Sequence, residues 1–239
     1  MSAPDAFPPP VSAATLAAAR DRLAAVGFMA SLIGHTGRNR LATVRAVLEL
    51  LQEGRESLLM PEHRELAFRQ LDEFIRDYNF GVDLARCDFG RSEAVSADEV
   101  AVDALEGFRP LAGSIQLIAD CAAGPATART DRRLLRLVLL NLLRNAGEAL
   151  AGRPEPRITL RTASADGWLR WEVADNGPGV PAAVHDRIFK EAVTTKEERA
   201  GLGLTLCRDA MTVVGGSLAY LSPRGEAGAC FRVQVPGGI

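Results

Sequence analysis

Asn141 and Asn145 stand four residues apart in the run Asn141-Leu-Leu-Arg-Asn145-Ala146-Gly-Glu148, a spacing that puts both amides on one face of a helix. An amide oxygen is a neutral, hard ligand suited to Mg²⁺ beside phosphates. Asp175 follows the apolar run Trp171-Glu-Val-Ala and opens Asp175-Asn-Gly177-Pro-Gly179. A carboxylate at a strand end, with a backbone free to turn sharply, suits a hydrogen bond to adenine's exocyclic amine, although the same five residues alone make a good turn. Gly201 and Gly203 open an apolar helix, where absent side chains let backbone N–H groups and the positive end of the helix dipole approach phosphates. Thr194-Thr195-Lys196 precedes them in a polar segment without apolar periodicity. Such a segment reads as a mobile lid with Lys196 available to terminal phosphates, or as a solvated loop.

A neutral imidazole nitrogen is nucleophilic near pH 7, and a helix restricts its approach to a substrate. The chain has three histidines. His63 begins a helix and His185 falls between Gly179 and Gly201, so both read as surface or capping residues. His35 stands mid-helix in Gly34-His35-Thr36-Gly37-Arg38-Asn39.

The elements that must position these groups follow from composition and period. The chain has 239 residues, 47% of them apolar, enough for one large domain or two ordinary ones with a sizeable core. Residues 1–11, rich in proline, read as a flexible leader. Leu41, Val44, Leu48 and Leu51 repeat at helical spacing, as do Leu66, Leu71, Phe74 and Tyr78 after a break at Gly54 to Pro61. Residues 12–88 therefore read as a helical hairpin. Two helices cannot cover two broad apolar stripes, so a homodimer forming a four-helix bundle is expected. The run Asp88 to Ser96, rich in Gly, Ser and charge, marks a boundary before a second domain over 96–239.

In that domain Gln116 to Asp120, Arg157 to Thr162 and Trp168 to Val173 read as strands, and Asp131 to Leu150 and Leu204 to Val214 as helices. Unalternated strands and helices fit an α/β sandwich with helices on one face of a mixed sheet, and an α+β chain overall. A net charge of −2 and scattered basic residues point away from nucleic acid and anionic lipid. Cys87, Cys121, Cys207 and Cys230 form no C-x-x-C pair and read as reduced thiols of a cytoplasmic protein. The apolar run Leu134 to Leu143 is far shorter than the ~20 residues a membrane helix needs, so no membrane insertion is expected.

Taken in order, these motifs resemble the N, G1, F and G2 boxes of the GHKL superfamily: Asn141 and Asn145, then Asp175, Gly177 and Gly179, then Phe189, then Gly201 and Gly203. With the hairpin, the whole resembles the catalytic core of a sensor histidine kinase. The resemblance implies ATP and Mg²⁺ as ligands, with Asn145 on Mg²⁺, Asp175 on adenine, and the segment carrying Thr195 and Lys196 as the lid. It implies His35 as phosphoacceptor, Asn39 as the residue positioning water for dephosphorylation of the partner, and a response regulator receiver domain as that partner. GHKL ATPases that hydrolyse ATP carry a glutamate where this chain has Asn141, and an amide cannot accept that proton. The site is thus built for transfer rather than hydrolysis.

Two departures stand out. The acid that in such kinases follows the histidine is here Thr36, and the frequent proline five residues after it is Arg40. A hydroxyl is a poor base at neutral pH, so autophosphorylation is expected to be slow or to recruit another carboxylate, and phosphatase or phosphotransfer function gains weight. The alternative readings are a histidine phosphotransfer dimer or ATP-gated partner-binding protein with weak or no autokinase activity, and a GHKL serine kinase, which would have no use for His35. Input is expected through the leader, a separate sensor protein or a direct effect on the bundle.

Overall fold

The computed structural model describes Gly27, Gly34 and residues 37–87, 92–185, 188–189, 202–221 and 228–237, with backbone only for Glu56 and Leu202. Residues 37–52 form a helix, α1. Gly54, at φ +66°, turns the chain, and Pro61 opens α2 (Pro61–Ala85), its missing N–H falling where the first helical turn has no partner anyway. His63 caps this helix, its Nδ1 accepting from the Met60 N–H at 3.2 Å.

The hairpin leaves much of its apolar stripe uncovered. Leu48 is 58% and Phe68 70% exposed, and Leu41, Ile75 and Tyr78 are exposed with them. The end of α2 behaves differently: Phe80, Leu84 and Cys87 are buried and continue into the core of the following unit. Hairpin and second unit are therefore packed together rather than strung on a free linker.

Next come β1 (Glu93–Ser96), α3 (Ala97–Phe108), β2 (Gln116–Cys121), β3 (Thr127–Thr130), α4 (Arg132–Ala149), β4 (Arg157–Ala165), β5 (Trp168–Asp175), α5 (Leu202–Val213), β6 (Ser217–Leu221) and β7 (Cys230–Pro236). β1 pairs antiparallel with β3, and the remaining strands form one sheet in the order β2-β4-β5-β7-β6, with only β2 and β4 parallel. Asp166 and Gly167, at φ +55° and +75°, close the β4–β5 hairpin with the tight turn that Asp-Gly favours.

Strand alternation sends Ile158, Leu160, Leu169, Trp171, Val173, Val233 and Val235 to one face, where α3, α4 and α5 bury them. The Trp171 indole N–H donates to the Ala97 carbonyl at 2.9 Å, satisfying its one polar atom inside the core. The opposite face carries a row of alternating charge across four strands in register: Asp120, Arg161, Glu172 and Arg232. Such opposite-charge neighbours help to fix register on a solvated face. An α+β architecture with helices on one side of a mixed sheet is thus observed. Asp131, expected inside α4, is instead its N-cap, accepting from the N–H groups of Arg133 and Leu134 at 2.8 and 3.1 Å.

Candidate nucleotide-binding site

Helix α4 is the spine of the site. Its face carrying Asn141, Asn145 and Glu148 runs from buried to open: Asn141 is 9% exposed, Asn145 half-buried and Glu148 exposed. At the inner end, Asn141 packs against the start of α5. A Cβ on Gly203 would stand 2.7 Å from the Asn141 Oδ1 and 2.8 Å from its Nδ2, so α5 reaches α4 this closely only without a side chain there. The Asn141 Nδ2 donates to the Cys207 Sγ at 3.4 Å. Burial pushes that thiol well above its ordinary range, which keeps it neutral. Asn141 is therefore a wall of the site held by packing and a hydrogen bond, an arrangement its exposure-blind sequence pattern did not reveal.

At the outer end, the turn after β5 meets the last turn of α4. A Cβ on Gly177 would lie 2.7 Å from the Asp175 Oδ1 and 3.5 Å from the Ala149 carbonyl oxygen. Asn145 is four residues from Asn141 and four from Ala149, so it stands on the same helical face one turn from each contact. Gly203, Asn145 and the Asp175 turn are thereby gathered along roughly 12 Å of helix.

Asp175 ends β5. Its Oδ1 accepts from the N–H groups of Gly177 at 2.8 Å and Ala229 at 3.2 Å. The hydrogen bonds described for its side chain all fall on this oxygen, and a carboxylate's second oxygen, Oδ2, is a further acceptor. Burial raises the carboxyl above the usual range, partly opposed by those two backbone donors and by the Arg153 charge. The turn itself is pinned: the Asn176 Oδ1 accepts from the Arg157 N–H at 2.8 Å, and its Nδ2 donates to the Glu155 carbonyl at 2.9 Å. Gly179, at φ +77°, lies so near Gly228 that a Cβ would stand 2.8 Å from its carbonyl oxygen. Gly228 in turn, at φ +135°, presses on the Asp175 carbonyl, leaving no space for a side chain. Gly228 and Ala229 belong to the site although sequence reading passed over them; the glycine just before an alternating strand was the available signal.

Phe189 is anchored from two sides. Its ring meets Phe231 edge-on at 6.3 Å, and its carbonyl accepts from the Thr205 hydroxyl of α5 at 3.4 Å. His185 is the C-cap of the short 3₁₀ helix Ala182–Val184, its N–H donating to the Ala182 carbonyl at 3.3 Å; its half-buried ring rests on Tyr220 at 4.7 Å, and its Nε2 bonds the Val180 carbonyl at 2.7 Å. Glu148 is exposed and pairs with Arg76 of α2. Asn39 lies exposed on α1. The leader 1–11, His35, Thr36, Thr194, Thr195, Lys196 and Gly201 lie outside the described residues.

Residues 130–239 match the family described as histidine kinase-, DNA gyrase B-, and HSP90-like ATPases. The C4-dicarboxylate transport sensor protein DctS of Rhodobacter capsulatus is 30% identical over 94% of this chain and 36% of its own length. The signal transduction histidine-protein kinase AtoS of Escherichia coli K12 is 25% identical over 90% of this chain and 36% of its own length. Among solved structures, histidine kinase ThkA in complex with the response regulator protein TrrA superposes with a TM-score of 0.62 over 91% of this chain and 63% of that one; at 20% identity the likeness is one of fold. The chain is the catalytic core of a sensor histidine kinase, a helical hairpin region followed by a GHKL-type ATP-binding fold. It spans about a third of the length of the curated relatives named here. Among the described residues no helix is long and apolar enough to cross a membrane.

Proposed function

We propose that this chain is an ATP-dependent protein histidine kinase of a two-component system, transferring the γ-phosphoryl of ATP to His35 and then to an aspartate of a response regulator. The observation that carries the reading is the position of Asn145, between the contact of Asn141 with Gly203 and that of Ala149 with Gly177. There it can hold Mg²⁺, which supplies neutralisation of phosphate charge when bound. Asp175 orients the base, Gly177 and Gly179 shape the turn beside it, and Gly201 and Gly203 leave room at the phosphate end with Thr195 and Lys196 before them. Asn141, bonded to a buried thiol, offers no proton acceptor for water, which favours transfer over hydrolysis.

At His35 a ring nitrogen bonds to phosphorus, the bond to ADP breaks, and the ring proton leaves to a base. Thr36 is poorly suited to receive it. Thr36→Glu is therefore expected to accelerate autophosphorylation; an unchanged rate would show that proton removal does not limit the reaction. Thr36 also favours the second reading, a histidine phosphotransfer or ATP-gated partner-binding protein, which absence of labelling in both forms would support. Asn39, exposed on α1, suits water positioning for phosphatase activity toward the regulator.

The uncovered stripe of Leu48, Phe68, Ile75 and Tyr78 supports a homodimer through residues 12–88, with 96–239 as the ATP-binding unit. The other proposed partners are a receiver domain and, for input, a separate sensor protein, all in the cytoplasm.

A further inference from the structure

Arg40 stands five positions after His35 and, unlike its exposed neighbours Arg38 and Asn39, is turned inward at 8% exposure. Its Nη1 donates to the Asp77 Oδ2 at 2.7 Å, and its Nη2 lies 3.5 Å from the Glu73 Oε2. One turn earlier, the Gly37 backbone rests on the Phe74 ring, so near that a Cβ would overlap its Cε2 and stand 2.9 Å from its Cδ2. A steric contact and an ionic contact therefore join α1, two and five residues past His35, to the single α2 turn 74–77.

That same turn faces the nucleotide helices. Arg76 pairs with Glu148 on α4, and Asp77 is near enough to Cys207 on α5 for its charge to act on the thiol that accepts from Asn141. A buried ion pair is a weak source of net stability because desolvation offsets much of the attraction, but separating the partners is costly. Sliding α1 along α2 by one turn, about 5.4 Å, would strand both charges, so the pair selects one register.

We propose that Arg40 and Asp77 are positioning residues, their buried ion pair fixing α1 in one register against α2 and so setting the height at which the phosphoacceptor segment meets the nucleotide site. This rests on the reading of His35 as phosphoacceptor. Displacement of about 1 Å can cost on the order of 10²-fold in rate, so loss of register should be plain in kcat.

The test is initial-rate labelling by γ-labelled ATP across ATP concentrations, with melting midpoints measured beside it. The double variant Arg40→Met with Asp77→Leu fills the space with apolar groups, a change that commonly preserves stability. Its kcat is expected to fall about tenfold or more, with KM for ATP within about twofold of wild type. Arg40→Lys, which keeps the charge, should stay within about threefold of wild type, while Arg40→Gln should fall with the double variant. If the double variant does not fold, the contrast between Lys and Gln decides. Wild-type kcat in the double variant, or equal rates for Lys and Gln, would overturn the proposal. Absence of label on wild type despite ATP binding would instead overturn the His35 reading, and the positioning role with it.

Discussion

Asp175→Asn separates binding from folding at the base-recognition end of the site. Asparagine keeps an oxygen that can go on accepting from the Gly177 and Ala229 N–H groups, at 2.8 and 3.2 Å in the native protein. It replaces the second carboxylate oxygen with an amine, so a donor meets adenine's donor. Losing a charged hydrogen bond costs about 1.5–3 kcal/mol and stranding a donor about 1–3 more, so roughly 3–4 kcal/mol, or 10²–10³-fold in Kd, is expected. Stability should respond differently. Burial is the main cause of the raised carboxyl pKa, so the ionised form is penalised in the fold at neutral pH, and the penalty is relieved as pH falls through the folded value. A neutral asparagine removes that penalty, and the melting midpoint at pH 7 should hold or rise. For the same reason, wild-type ATP affinity should begin to fall at a higher pH than for an ordinary carboxylate. Calorimetric titration with Mg²⁺ and a non-hydrolysable ATP analogue, beside a thermal melt, reads both quantities. A Kd within about threefold of wild type, or a loss of midpoint that accounts for the loss of binding, would refute the reasoning.

Gly203→Ala places a Cβ 2.7 Å from the Asn141 Oδ1. Overpacking of this kind costs about 1–3 kcal/mol, so a lowered melting midpoint with weakened ATP binding is expected, and no change in either would show that α5 yields freely. Leu48→Glu with Phe68→Glu, at positions 58% and 70% exposed, should convert a dimer to monomer in sedimentation without loss of ATP binding; a persistent dimer would move the interface elsewhere.

The spine of the site was legible because its signals are local. Helical period reports α4, and a carboxylate followed by two glycines after an apolar run reports the end of β5 and its turn. α3 was passed over because Ala97-Asp-Glu-Val-Ala-Val has few large apolar groups, although Ser96 and Glu99 carry the Ser-x-x-Glu signature of a helix start, and Ser96 does cap it. β7 was open to reading from the alternation of Phe231, Val233 and Val235. What no local pattern carries is the partner across the fold. The Trp171 indole on the Ala97 carbonyl, Asn141 on Cys207 and Arg40 on Asp77 span 74, 66 and 37 residues. In each, a buried polar group is explained only by what the topology brings opposite it.

The most direct measurement is incubation of the purified chain with γ-labelled ATP and Mg²⁺, wild type beside His35→Ala. Label that is lost in acid and stable in alkali is expected on the wild type and absent from the variant, with ATP bound equally by both. Equal labelling of the two, or a label that survives acid, would contradict phosphoryl transfer to His35.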